Sequence, residues 1–410
     1  MKTESRTLSN GLRVICHHSP QTAVSAVDIL YDVGARDESP ELTGIAHLFE
    51  HLMFAGSENI PGFDAEMDRA GASTNAWTSS DFTNFYCTFP AGNLEAVFRA
   101  ESDRMLSLSF SQKSLDAQKG VVTEEFHQTV LARPYGDLMG IVRDTAYKVH
   151  PYRWDVIGIT PEHIATATLD DIRGFFFTHY SPDNAVLSFA GPTPPETVFR
   201  LAEKWFGDIP RRNRPPRTLP EEPAQTEARE KEVRRNVPAA HITVAWHTDS
   251  YASRGQLAAD LLTDILAQGH SSRAYRRMML GTDLFADFDT SITGSEDPGL
   301  LLLNARLRDN GAASVSAALS KIDSFINSIV TEGVTDRELQ RAKNQFKSNL
   351  VFGNVSNQAK AMNIALNHFH GETYESRSEN VMNMTADFIN STARRIFTPA
   401  NRSTILYLPK

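Results

Sequence analysis

One stretch constrains this chain more than any other: Gly44-Ile45-Ala46-His47-Leu48-Phe49-Glu50-His51-Leu52-Met53-Phe54. His47 and His51 stand four apart, so on an α-helix both imidazoles share one face, one turn apart. Glu50 leans toward the same face. Ile45, Leu48, Phe49, Leu52 and Met53 are apolar, so the helix is expected to be largely buried. Burying two imidazoles and a carboxylate is costly unless something satisfies them, and a divalent cation does so. A solvated helix face can collect these residues by chance, but its flanks would carry charge. A zinc ion held with one open position takes three protein ligands. A fold that uses this helix for metal must bring the third ligand from elsewhere.

The best source is Val121-Val122-Thr123-Glu124-Glu125-Phe126. Glu125 sits among apolar residues, so its helix also faces a core. Glu124 points about 100° away around the helix and is expected to be the solvated carboxylate. The remaining histidines are scattered and read as structural or solvated. Phe175-Phe176-Phe177 reads as core.

At 410 residues the chain is too long for one ordinary core. With 41% hydrophobic and 22% charged residues it is an ordinary globular protein. A net charge of −9 argues against a nucleic-acid partner, which needs a basic surface. Cys16 and Cys87 could form one bridge but not a disulfide framework. No apolar run approaches the ~18 residues of a membrane span, and the start carries no apolar leader core. A cytoplasmic location is expected, or a periplasmic one if a leader has been removed.

Residues 6–15 are expected to form a hairpin with Asn10-Gly11 as a type I′ turn. A strand over 23–33 precedes the metal-type helix at 43–54, with Thr43 as its N-cap. A strand pair follows over 73–89 and helices over 94–107 and 111–131. Residues 209–232 are proline-rich, charged and poor in large apolar residues, the composition of a semi-extended linker. Beyond it the order of elements repeats, which suggests an internal duplication. The expected division is 1–208, a linker at 209–232, and 233–410.

H-x-x-E-H reverses the zinc-protease motif H-E-x-x-H. The chain resembles the pitrilysin-type (insulinase-like, inverzincin) zinc metallopeptidases over most of its length. The resemblance rests on Gly34-Ala35-Arg36-Asp37-Glu38, on the 44–57 stretch, and on Asn75-Ala76-Trp77-Thr78. It continues through Val121-Val122-Thr123-Glu124-Glu125 and His150-Pro151-Tyr152 to His179-Tyr180-Ser181-Pro182-Asp183-Asn184. It implies an α+β fold of two homologous domains, each a twisted, mostly antiparallel sheet packed on helices. It implies one Zn²⁺ per chain on His47, His51 and Glu125, with Glu50 as general base and then general acid. It implies that an extended peptide adds to the strand edge at Asn75 and Ala76. Active members enclose a chamber made of two such chains or one of double length. The resemblance therefore implies a homodimer or a heterodimer with a related subunit.

Two positions depart from that family. Where relatives carry a supporting glutamate two helical turns before the distal ligand, this chain has Gln118, which can still accept from an imidazole N–H. Where active relatives supply an arginine and a tyrosine to the substrate carbonyl, the chain aligns Met279 and Ala286. Neither side chain can donate to an oxyanion, and losing such a donor typically costs about 10²–10³ in rate. Three readings follow. A related partner supplies the pair; or Tyr275, Arg276 or Arg277 substitutes; or the chain is a weakly active or non-catalytic subunit. The first is preferred.

Overall fold

In the computed structural model, which describes residues 1–212 and 214–410, the chain forms two compact units. The first comprises Met1–Phe126, Trp154–Leu219 and Leu350–Glu375. The second comprises His127–Arg153, Pro220–Asn349 and Ser376–Lys410.

The first unit holds a six-stranded sheet in the order β1-β2-β6-β3-β5-β4. Its strands are β1 (Glu4–Thr7), β2 (Arg13–His18), β3 (Val24–Tyr31), β4 (Ser73–Thr78), β5 (Thr83–Pro90) and β6 (Ala185–Gly191). All pairs are antiparallel except β2 with β6. The second unit holds a five-stranded sheet in the order β7-β11-β8-β10-β9. Those strands are β7 (Arg229–Arg235), β8 (His241–His247), β9 (Phe285–Ile292), β10 (Leu300–Leu307) and β11 (Arg402–Pro409). Only β7 and β11 are parallel. Setting β1 aside, the two orders superimpose strand for strand, each pairing its first strand in parallel with its last. This is the α+β duplication expected from the sequence.

Alternation along the strands explains why both faces of each sheet are buried. Val27, Ile29 and Tyr31 of β3 face the main core of the first unit. Ala26 and Leu30 face the helix Asn357–Phe369, with Ile364 and Ala365 beside Leu30 and Ala361 beside Ala26. In the second unit, Ala245, Leu300 and Leu302 meet the helix Leu138–Ala146 through Val142 and Ala146. Each half of the chain thus lends one helix to the other half's sheet. We keep 209–232 as the proposed join between the halves.

The structure revises several local expectations. The β1–β2 loop is Ser9-Asn10-Gly11, with Leu8 paired to Leu12 through a 2.9 Å bond and a positive φ (93°) at Gly11 alone. Type I′ needs positive φ at both central residues. Asn10 instead turns its amide onto the carbonyls of Phe206 (2.7 Å) and Ile209 (2.9 Å). The linker is strapped down rather than free, and its residues 229–232 already belong to β7; residue 213 lies outside the described residues. Arg212 donates to Met105 O at 3.0 Å, Leu106 O at 3.1 Å and Phe176 O at 3.2 Å, closing two helix C-termini while lying over the Phe176 ring. Arg217 bridges Asp32 (2.9 Å) and Asp37 (2.7 Å). Cys16 and Cys87 are free and buried. They lie on β2 and β5, three strands apart, which at about 4.8 Å per strand is too far for a disulfide. Phe175 and Phe176 are core, but Phe177 is largely exposed.

Candidate metal centre

The metal-type helix, α1 (Ile45–Leu52), buries Ile45, Ala46, Leu48, Phe49 and Leu52, as its apolar pattern requires. Phe49 packs on Tyr180 with ring centroids 4.1 Å apart. The N-cap is Gly44 and not Thr43. Gly44 has φ 89°, and a Cβ there would stand 2.8 Å from Ile157 O, so only glycine fits. Thr43 is engaged elsewhere, accepting from Ile159 N at 2.9 Å. The free N–H groups of the first turn are met by Glu38, whose carboxylate accepts from Gly44 N (3.0 Å) and Ala46 N (2.9 Å). Glu38 was missed as a functional residue because it lies six positions upstream, outside any local capping pattern.

Two further helices, α2 (Phe63–Arg69) and α3 (Leu94–Leu106), pack together beside this region. Then α4 (Gln112–Phe126) runs against α1 and delivers Glu125. His47 Nε2 and His51 Nε2 are 3.3 Å apart. Glu125 Oε2 stands 3.9 Å from the first and 3.5 Å from the second. His47, His51 and Glu125 together form the only such potential metal-holding group among the described residues. Glu124 is exposed, as expected.

These distances test whether a metal fits. Two nitrogens bound to one tetrahedral zinc at about 2.0–2.1 Å sit roughly 3.3 Å apart, and that is the separation found. Protonating both rings is disfavoured here. Burial, aided by His51, pushes His47 down to about 4, and burial also lowers His51. Two neutral imidazoles aimed at one point with a carboxylate beside them make a donor set for a borderline cation. Gln118 lies two turns before Glu125 on α4 and acts on the His51 ring, opposing the lowering by burial.

Glu50 faces the same space, but its carboxylate accepts a hydrogen bond from Thr78 Oγ1 at the end of β4. Burial raises Glu50 to about 7; the Thr78 bond opposes that shift and Glu125 reinforces it. Asn75 and Ala76 lie on β4, the outermost strand beside β5, with Asn75 exposed. Asn75 lies inside the strand rather than at its end, and its Oδ1 accepts from Ala76 N at 2.8 Å. In the second unit, Met279 is half-buried against the core and Ala286 lies on β9. Arg277 is committed to Glu332 (2.9 Å) and Ser328 (2.7 Å), and Tyr275 stacks on His270 at 4.4 Å. Arg276 is exposed.

Residues 13–154 match the model described as Insulinase (Peptidase family M16), and residues 166–346 the one described as Peptidase M16 inactive domain. A protein named zinc protease PqqE from Helicobacter pylori is 29% identical over 358 residues, covering 85% of this chain and 80% of its own. A probable mitochondrial-processing peptidase subunit beta from Schizosaccharomyces pombe is 26% identical, covering 88% of this chain and 81% of its own. The crystal structure of a protease from Helicobacter pylori aligns over the whole of both chains with a TM-score of 0.91 at 27% identity. No helix of the described residues is long and apolar enough to cross a membrane.

Proposed function

The chain belongs to the insulinase-like M16 peptidase family, and from that premise we propose that it is a zinc-dependent endopeptidase. Its substrates are peptides or unfolded segments, cut inside a chamber formed with a second subunit. The observation that carries this reading is the convergence of His47, His51 and Glu125, with Glu50 beside them and bonded to a different partner.

In this reading His47, His51 and Glu125 hold one Zn²⁺. Bound there, zinc supplies a Lewis acid and lowers the pKa of a bound water to about 7. The chain's own residues do the rest. Glu50 takes the proton of the attacking water and returns it to the departing amine. One carboxyl group beside the attacking water can make both transfers. Gln118 orients the His51 ring. The open edge of β4 at Asn75 and Ala76 accepts an extended peptide through backbone bonds.

The partner is a second copy or a related subunit that supplies the arginine and tyrosine. The position of Met279, the commitment of Arg277 and the naming of the fission-yeast relative as a subunit support this. The same absence favours the second reading, a weakly active or non-catalytic subunit. We place the protein in the cytoplasm, with the periplasm as the alternative that cell fractionation tests.

Metal analysis and quenched fluorescent peptides test the function. The purified chain is expected to carry zinc and cleave, alone or after a related subunit is added. Glu50→Gln is expected to keep the metal and lose cleavage. A Glu50→Gln protein as active as the parent would refute the role of Glu50. A chain that binds no zinc would refute the whole reading.

A further inference from the structure

We propose that Thr78 is the positioning residue for Glu50, fixing one oxygen of its carboxylate so that the other faces the reacting water. The proposal rests on the peptidase reading above, with Thr78 as an addition to the residues already assigned.

Thr78 is the last residue of β4. Its hydroxyl donates to Glu50 Oε2 across the contact between α1 and β4. The strand end that carries it is held on several sides. Thr83, its cross-strand partner, donates Oγ1 to Val33 O at 2.9 Å. The next residue, Ser79, closes a turn by donating N–H to Phe82 O at 2.8 Å. Ser79 Oγ in turn accepts from Asp81 N (3.1 Å) and Phe82 N (2.9 Å), and Ser79 O accepts from Ala35 N at 3.1 Å. A hydroxyl on so constrained a backbone is a fixed donor.

Glu50, by contrast, has a side chain with three rotatable bonds. Left alone, its carboxylate could rotate or move toward the point where His47 and His51 converge. A donor on one oxygen prevents both. Thr78 lies two residues beyond Ala76 on the same face of the strand. The edge proposed to seat the substrate and the group proposed to move its proton are therefore fixed by one strand.

Thr78→Val removes the donor while keeping the shape. The Val variant is expected to lose about tenfold or more in kcat with KM and zinc content nearly unchanged. Thr78→Ser restores the donor and is expected to return kcat to within about threefold of the parent. Unchanged kcat in the Val variant overturns the proposal, and so does a Ser variant as impaired as Val. A crystal structure of the zinc-loaded Val variant gives a readout independent of turnover. Glu50 is expected to leave its parental rotamer, and an unmoved carboxylate overturns the proposal as well. A zinc-loaded parent that cleaves nothing, with or without a related subunit, would refute the peptidase reading, while the crystallographic comparison would still decide what Thr78 does.

Discussion

Replacing Glu38 by alanine tests how α1 is held. The Glu38 carboxylate is buried and accepts from Gly44 N and Ala46 N at 3.0 and 2.9 Å. Alanine leaves both amides without this partner at a site with little access to water. Each orphaned buried donor costs about 1–3 kcal/mol, and partial rescue by water puts the total at roughly 2–4 kcal/mol. For a unit of roughly 150–250 residues each kcal/mol lowers the melting temperature by about 2–4 °C, so a drop of roughly 5–15 °C is expected in the metal-free protein. His47 is the third residue of α1, within the turn that would fray. Zinc affinity is therefore expected to fall about 10–100-fold, the range seen when support around a ligand is lost. Zinc at about 100 times its new dissociation constant should return roughly 2.7 kcal/mol, so much of the lost melting temperature is recovered on adding metal. Scanning calorimetry with and without zinc, together with chelator competition, measures both effects. A variant that melts within about 1 °C of the parent, with the same zinc affinity, would show that Glu38 does not hold this helix.

Asp28 is fully buried in the sheet of the first unit, and burial raises it to about 7 against an ordinary carboxylate value of 3.8. The folded state therefore holds the proton more tightly than the unfolded chain. That stability is present in full below the ordinary value and is lost as pH rises toward 7. Asp28→Asn is expected to match the parent near pH 4 and exceed it at pH 8 by on the order of 2–4 kcal/mol; parallel stability–pH curves for the two proteins would be evidence against this. Gln118→Glu adds a charge behind His51 and is expected to tighten zinc by up to about tenfold in chelator competition. Weaker binding would mean that Gln118 serves another purpose. Burial pushes Cys16 up to about 12 and Cys87 well above the usual thiol range. Maleimide at pH 7 should label neither in the native protein and both in denaturant; rapid native labelling of either would contradict its burial. Native mass spectrometry should find one zinc ion per chain, and two would contradict a single site.

How much of this was legible in the sequence depended on the range of the interaction. The α1 helix and the strand pair β4–β5 could be read because periodicity and turn residues are local signals. His47 and His51 could be read because their four-residue spacing is itself a geometry. Glu125 needed a second helix to meet the first, so its apolar neighbours made it a candidate and the family pattern was needed to single it out. Glu38 and Thr78 were not legible as functional, since each acts across a fold contact that no spacing encodes. The same holds for the exchanged helices. Asn357–Phe369 is an ordinary amphipathic segment until the fold lays it on β3 and β6. Thr43 misled for a local reason, because a threonine before an apolar helix looks like a cap even when a distant carboxylate does the work.

The duplicated topology sets a helix of the second unit in the place that α1 holds in the first. The helix Arg254–Ala267 lies between β8 and β9, as α1 lies between β3 and β4. It is buried along most of its length and carries an i,i+4 pair too, Asp260 and Asp264. Burial raises both, and Arg377 acts on the first and Arg341 on the second in the opposite direction. No third His, Cys, Asp or Glu joins Asp260 and Asp264 in a potential metal-holding group among the described residues. This difference from the first unit also fits a family model that matches residues 166–346 under the description of an inactive domain.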